Sequence, residues 1–328
     1  MGSRRAWFIR KVVRFAVILF LVLTITFILP RMMPGDPVEN LFGETVTRVD
    51  PSVRAFLEEK YGLDRSLPEQ YVKFLSSIFT LDFGYSITLG MEVSDLIEQR
   101  MTWTIVLLLP AIIIGSVASF LLATKCGMRR NGALDRTASF FAILIHTVPG
   151  FLVAMLFVRV FSFELGWFPL GHLRSGEYQG IVDLGDIAYH MFLPIAVVAL
   201  LVGSSQFLVL RNSVTQIGDE YFIFVARSKG LRRNDVETRH VIRNVLPTFL
   251  SMLALNIGFI VSGALLIEIV FSIQGMGNLL YDAIRLQDYP LMQAIFIILT
   301  FCVLSMNLIA EVLYGLADPR IGDSQIKA

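Results

Sequence analysis

Residues Phe15 to Leu29 read FAVILFLVLTITFIL, an apolar run without a single charge. It extends back over Val12 and Val13, and Arg4, Arg5, Arg10, Lys11 and Arg14 precede or enter it. A hydrocarbon core of about 30 Å takes roughly 20 apolar residues of helix to cross, so the stretch reads as a membrane span. A secretory leader shares the basic start and apolar centre. The length of the run, and the absence of a small-x-small cleavage pattern in Pro30-Arg31-Met32-Met33-Pro34, favour a retained span.

Composition points the same way. Of 328 residues, 55% are apolar and 17% charged, against about 25% charged in an average soluble domain. Two soluble domains would lack ionisable residues to cover their surfaces, and a disordered chain needs the opposite balance. Five further apolar runs follow at residues 103–124, 138–161, 190–210, 249–271 and 291–316. The expected fold is therefore all-α, a polytopic membrane protein with six transmembrane helices. Pro110, Pro149 and Pro194 lie inside three of the runs and predict kinks, which membrane helices tolerate when neighbours satisfy the freed carbonyls. Gly203-Ser204-Ser205-Gln206 in the fourth run are small and polar, as helix contacts or a solvated path would need, with helix contact the favoured reading.

Lys and Arg in short loops favour the cytoplasmic side. Lys125, Arg129, Arg130 and Arg136 face one acid, Asp135, between spans two and three. Residues 211–247 carry seven basic residues and four acids, whereas Arg174 stands against Glu164, Glu177, Asp183 and Asp186, and Arg285 against Asp282 and Asp288. This alternation predicts both termini, 125–136 and 211–247 inside, and the long segment 31–95 outside. The net charge of +1 thus conceals a molecule positive within and acidic without.

Several chemistries have no sequence support. There is no G-x-x-x-x-G-K-[ST] phosphate loop, no H-E-x-x-H and no G-x-S-x-G. His146, His172, His190 and His240 are widely separated, and Cys126 and Cys302 are not expected to pair. No metal, no cofactor and no covalent catalysis is expected of this chain, and no nucleic-acid partner. Ionisable residues within the spans are few. Arg159 and Glu311 can snorkel to an interface. Glu268, set in the run Gly263 to Phe271, needs a cationic or hydrogen-bonding partner or a watery cavity.

Residues 211–247 are too long for a passive connector. Asp219 to Lys229 reads as a helix stopped by Lys229 and Gly230. Asn234 to Asn244 reads as a second helix, after which Pro247 opens the fifth span. The basic residues are spread over both helices, which favours docking into a protein partner over lying on anionic headgroups.

The run Glu220-Tyr221-Phe222-Ile223-Phe224-Val225-Ala226-Arg227-Ser228-Lys229-Gly230, with Arg243, Asn244 and Pro247 behind it, resembles the EAA loop of permease subunits of binding-protein-dependent ABC importers. Glu220, Phe222, Ala226, Lys229 and Gly230 match its pattern, while Phe224 and Val225 depart from it. Motifs along the whole chain are similar to the dipeptide/oligopeptide/nickel branch of that family. They include Pro34-Gly35-Asp36-Pro37, Tyr61-Gly62-Leu63-Asp64, Asp82-Phe83-Gly84-Tyr85-Ser86, Pro149-Gly150-Phe151, Gly275-Met276-Gly277, Asp288-Tyr289-Pro290 and Ala317-Asp318-Pro319-Arg320. Gln274 stands where the branch usually has proline.

The resemblance implies a type I ABC importer permease fold: an N-terminal span at 1–30, an extracytoplasmic segment at 31–95, a permease core at 96–318 and a tail at 319–328. It implies that Glu220, Phe222, Ala226, Lys229, Gly230, Arg243, Asn244 and Pro247 couple the chain to a cytoplasmic ATPase. ATP and Mg would be bound by two partner ATPase subunits, beside a second homologous permease, an extracytoplasmic substrate-binding protein and membrane lipid. Glu268, Ser272, Gly275 and Gly277 are candidates for the pathway or its gate, and the Gly275-x-Gly277 pair reads equally as a turn. The expected cargo is a di- or oligopeptide, with nickel or an oligosaccharide as alternatives. A secondary transporter predicts inverted repeats with broken helices, and a membrane scaffold would not need kinked, polar-speckled spans.

Overall fold

Helix α1 runs unbroken over Gly2–Arg31. The computed structural model describes residues 2–32, 65–86, 88–173, 183–262, 264–286 and 288–317. The motifs at 34–37 and 61–64, Asp318-Pro319-Arg320 and the tail 319–328 lie outside the described residues, as does the side chain of Glu311. After α1 come α2 (Leu67–Thr80), a two-stranded hairpin of β1 (Tyr85–Ser86) and β2 (Met91–Glu92), and α3 (Val93–Met128). Next are α4 (Ala133–Thr147), α5 (Gly150–Phe157) with a π-helical continuation over Val158–Glu164, α6 (Asp183–Gly218) and α7 (Tyr221–Ser228). The chain then forms α8 (Arg233–Val236), a π-helical stretch Glu237–Ile242, α9 (Arg243–Gly258) and a 3-10 turn Phe259–Ser262. It ends in α10 (Leu265–Val270), α11 (Met276–Arg285) and α12 (Tyr289–Ala317).

Among the described residues five helices are long and apolar enough to cross a membrane, and a sixth crossing exists if the bent pair α4–α5 forms one span. Two differences from the expected boundaries matter. The third run, 138–161, is not one kinked helix but two helices meeting at 104°. Pro149 has no N–H to give, and Val148 before it is extended at ψ 133°, the conformation that a following proline favours. Pro110 and Pro194 stay inside continuous helices.

The fifth span is the second difference. The helix long and apolar enough for it is Asn234–Gly258, which shares only residues 249–258 with the expected run 249–271. The helix expected at Asn234 to Asn244 is continuous with it through the π stretch, so Pro247 lies buried within α9 and does not open it. Between Gly258 and Phe271 the described residues form only the 3-10 turn Phe259–Ser262 and the short helix α10.

The core is built on α3 and α6, which run parallel, with Gly115 against Ala199 and Gly127 against Val214. Each has 36 residues, about 54 Å at 1.5 Å per residue, so both project well past a hydrocarbon core. Their contact face on α3 carries Ala111, Gly115, Ser119, Ala123 and Gly127, all buried and all four residues apart. Small residues at that spacing let helix backbones approach closely in lipid. A side chain at Gly115 would collide with the Ala199 carbonyl, and one at Gly203 would lie 3.1 Å from the Gly115 carbonyl. The expectation that Gly203 serves helix contact agrees with this position.

Buried apolar residues gather in three places. Leu107, Ala111, Val197 and Phe271 occupy the middle. Cys126, Val214, Ile223, Val241 and Val245 occupy one end, and Val93, Met276, Leu279 and Leu291 the other. Helix α2 leans on α1: Tyr71 stacks edge-on against Phe27, centroids 5.0 Å apart, and its hydroxyl lies 2.8 Å from Thr24 Oγ1.

Candidate functional site: an exposed aromatic helix and three buried carboxylates

Helix α7 has two unlike faces because its apolar residues are unevenly spaced. Ile223 and Ala226, three apart, are buried against Cys126, Val214, Val236, Val241 and Val245. Residues at i and i+3 share a face, so Tyr221 and Phe224 share the opposite one. They are 77% and 65% exposed, with rings stacked at 6.3 Å. Phe222 is 42% exposed. Glu220 stands at the N-cap in an extended conformation.

The helix ends in a Schellman arrangement. Gly230 N–H donates to the Arg227 carbonyl at 2.9 Å, and Leu231 N–H to that of Ala226 at 3.4 Å. Gly230 has φ +78°, a left-handed conformation that glycine adopts without the Cβ penalty. Of the candidate coupling residues, the structure therefore brings Glu220, Phe222, Ala226, Lys229 and Gly230 together on one short element. Arg243 and Asn244 lie on α9, where Asn244 Nδ2 donates to the His240 carbonyl at 2.5 Å, and Pro247 is buried below them.

The tip rests on a fastened base. Arg211 in α6 donates Nε to Asp135 Oδ1 at 3.0 Å and Nη2 to Oδ2 at 2.7 Å. Asn131 N–H adds a bond to Oδ2 at 2.9 Å, and the Asp135 side chain is 3% exposed. Such a two-point contact fixes orientation as well as distance. It ties the start of α4 to α6 one turn before Val214, which Ile223 contacts. Arg130 and Asp219, 3.7 Å apart and open to solvent, add little. Neither Asp135 nor Arg211 carries a local motif, and only their shared place at one end of the bundle relates them.

At the other end Glu268 is fully buried. It has hydrogen-bonding partners and, among the described residues, no cation: Thr104 Oγ1 donates at 3.1 Å, Asn278 N–H at 2.9 Å and Ala264 N–H at 3.4 Å. Asn278 lies in the first turn of α11, where unpaired N–H groups and the helix dipole favour negative charge. Thr104 also accepts from Met276 N–H at 2.7 Å, joining α3, α10 and α11 in one knot. The carboxylate closes on two glycines. A Cβ at Gly275 would collide with Glu268 Oε1 and stand 2.5 Å from Thr104 Oγ1, and one at Gly277 would stand 2.7 Å from Leu265 Cα. Glu268, Gly275 and Gly277 thus form one buried unit, while Ser272 is exposed with φ +54° and outside it.

A second carboxylate works beside it. Asp288 caps α12 through Leu291 N–H at 3.2 Å and receives the hydroxyls of Ser86 at 2.5 Å and Thr88 at 2.6 Å. It pins the β-hairpin to the start of the last span. Two motifs quoted separately from the sequence, 82–86 and 288–290, meet here.

This geometry defines a multi-pass helical membrane permease: long crossings on a close-packed α3–α6 pair, with an exposed aromatic helix at one end. The chain belongs to the family of binding-protein-dependent transport system inner membrane components, whose model matches residues 111–323, and the family's N-terminal model matches residues 5–108. It is similar to a putative peptide permease protein of Brucella suis biovar 1, at 32% identity over 92% of this chain and 95% of the relative. It is also similar to two Bacillus subtilis proteins at 30% identity. These are the oligopeptide transport system permease protein AppB, covering 96% of this chain and 99% of the relative, and the dipeptide transport system permease protein DppB, covering 96% and 97%. The chain is an inner-membrane subunit that works in a transport complex with other subunits.

Proposed function

We propose that this chain forms half of the membrane pathway of an ATP-driven importer that carries di- or oligopeptides across the cytoplasmic membrane. Its termini and α7 face the cytoplasm. A second homologous permease completes the pathway, an extracytoplasmic binding protein delivers cargo, and two ATPase subunits bind ATP and Mg. The observation that carries the reading is α7. It presents stacked Tyr221 and Phe224 to the outside, holds Ile223 and Ala226 inside, and stops abruptly at Gly230. A helix anchored on one face and aromatic on the other suits a groove in a partner.

The peptide cargo rests on what the relatives are named. Glu268, Gly275 and Gly277 form the frame of the gate, with Ser272 on its exposed rim. ATPase closure drives the two docking helices together and switches the bundle between two packed states.

The test is reconstitution. The complete complex in proteoliposomes is expected to take up radiolabelled di- and oligopeptides only with ATP, Mg and the binding protein present. Replacing Tyr221 and Phe224 by serine should remove uptake and substrate-stimulated ATP hydrolysis together. Uptake that persists in that variant would refute the docking assignment, and uptake of nickel or sugar but not peptide would refute the cargo.

A further inference from the structure

Beside the docking helix lies a cavity of about 490 Å³ lined by Lys125, Arg129, Leu134, Asn234, Glu237 and Thr238. We propose that it binds the phosphodiester headgroup of an anionic phospholipid.

Its position follows from one stripe of α3. Ile114, Val117 and Leu121 are 54%, 46% and 55% exposed, and the same face then continues as Lys125 and Arg129. An outward stripe that turns from aliphatic to cationic within one helical turn marks the border between hydrocarbon and headgroups. The cavity opens at that border. A second apolar track reaches it along α4, where Leu134 and Phe141, seven residues apart, are 52% and 57% exposed. Acyl chains can follow these tracks while the phosphate stays at the cations.

The charges match such an occupant. The neighbouring Arg130 is engaged with Asp219, but Lys125 and Arg129 have no ion-pair partner among the described residues. Two cations against the one carboxylate of Glu237 leave a single positive charge, the complement of one phosphodiester. Glu237 accepts from headgroup hydroxyls, while Asn234 and Thr238 offer further polar contacts. The wall they stand on is a built feature. Glu237–Ile242 is π-helical, and such bulges widen a helix locally and recur at functional sites. Basic pockets between membrane helices bind lipid headgroups through the same chemistry.

The full chain, delipidated in detergent, is titrated with dioleoylphosphatidylglycerol and separately with dioleoylphosphatidylcholine, and bound lipid is counted by native mass spectrometry. The anionic lipid is expected to bind preferentially. K125A/R129A should weaken it roughly tenfold without changing phosphatidylcholine binding. E237Q should strengthen it, a gain that misfolding would not produce. Equal retention of phosphatidylglycerol by wild type and both variants overturns the proposal. So does full displacement by millimolar inorganic phosphate, which identifies a free anion as the ligand. An unchanged lipid affinity in K125A/R129A together with weaker recovery of the ATPase partner overturns it in favour of a protein contact.

Discussion

Arg211 grips Asp135 at two points, Nε to Oδ1 at 3.0 Å and Nη2 to Oδ2 at 2.7 Å, across 76 residues of sequence. The pair is the only link of its kind among the described residues between α4 and α6 at the docking end. Arg211→Ala leaves the Asp135 carboxylate buried without its cation, a change that costs about 3–5 kcal/mol in other buried pairs. The melting temperature of the detergent-solubilised chain should fall sharply in R211A. The double replacement D135L/R211M should recover most of the loss, because neither charge is then stranded. A double variant as unstable as R211A would show that the charges themselves are needed.

Gly230 separates backbone from packing effects. Nothing lies within 4 Å of a Cβ placed there, so only its φ of +78° penalises a side chain. Gly230→Asn, the best-tolerated left-handed substitution, should keep most of the uptake. Gly230→Ala should reduce it at a stability cost of about 1 kcal/mol. Gly230→Pro forbids the φ and removes the bond to the Arg227 carbonyl, and should abolish uptake while leaving membrane insertion intact. Uptake by G230P equal to wild type would contradict the coupling role.

At Glu268 the usual conservative replacement is predicted to fail. Thr104 Oγ1, Asn278 N–H and Ala264 N–H all donate to the carboxylate. In Glu268→Gln one carboxylate oxygen becomes an NH2 whose donors face either Thr104 and Ala264 or Asn278. Leaving such buried groups unpaired costs about 1–3 kcal/mol. Thermal unfolding of E268Q, T104V and G275A should show all three destabilised. G275A should be at least as damaging as T104V, since its methyl would collide with the carboxylate itself. A melting curve for E268Q that overlays wild type would sink this account.

Asp288 couples the hairpin to the last span, so S86A and D288A should be non-additive. Their double-mutant cycle should return an interaction of about 0.5–3 kcal/mol. Protease accessibility of the hairpin should rise in each single variant. Simple additivity would mean that the 2.5 Å contact does not hold the hairpin in place.

The membrane crossings were legible because an apolar run such as Phe15 to Leu29 needs no partner to be understood. The stop at Gly230 was legible for the same reason: its cause is local. The bend at Pro149 was legible as a kink but not as 104°, since Pro110 and Pro194 have the same chemistry and remain within continuous helices. What the neighbours can satisfy decides between those outcomes. The fifth helix starts and ends earlier than the expected run because apolar counting gives weight to residues 249–271, whereas helix continuity runs through the polar residues 234–244. Asp135 and Asp288 were invisible as site residues because their partners lie 76 and 202 positions away. The need of Glu268 for partners was readable; that its cradle would be two glycines and a threonine was not.

The continuity of α8, the π stretch and α9 has a mechanical consequence. The helix stop expected at residue 244 would have been a flexible joint between the docking element and the membrane. Instead, Asn234 to Gly258 spans 25 residues, about 37 Å, as a single lever arm whose foot touches α7 through Val236 and Val241. Phe249, ring-packed on Phe120 at 4.6 Å, is placed near its middle as a fulcrum. Its far tip, Gly258, lies so near α12 that a Cβ there would stand 2.8 Å from Met306 Cβ. A tilt of about ten degrees about that fulcrum carries the tip roughly 2 Å. In the proposed coupling, a movement at α7 would thus be carried to the middle of α12 without the lever itself having to refold.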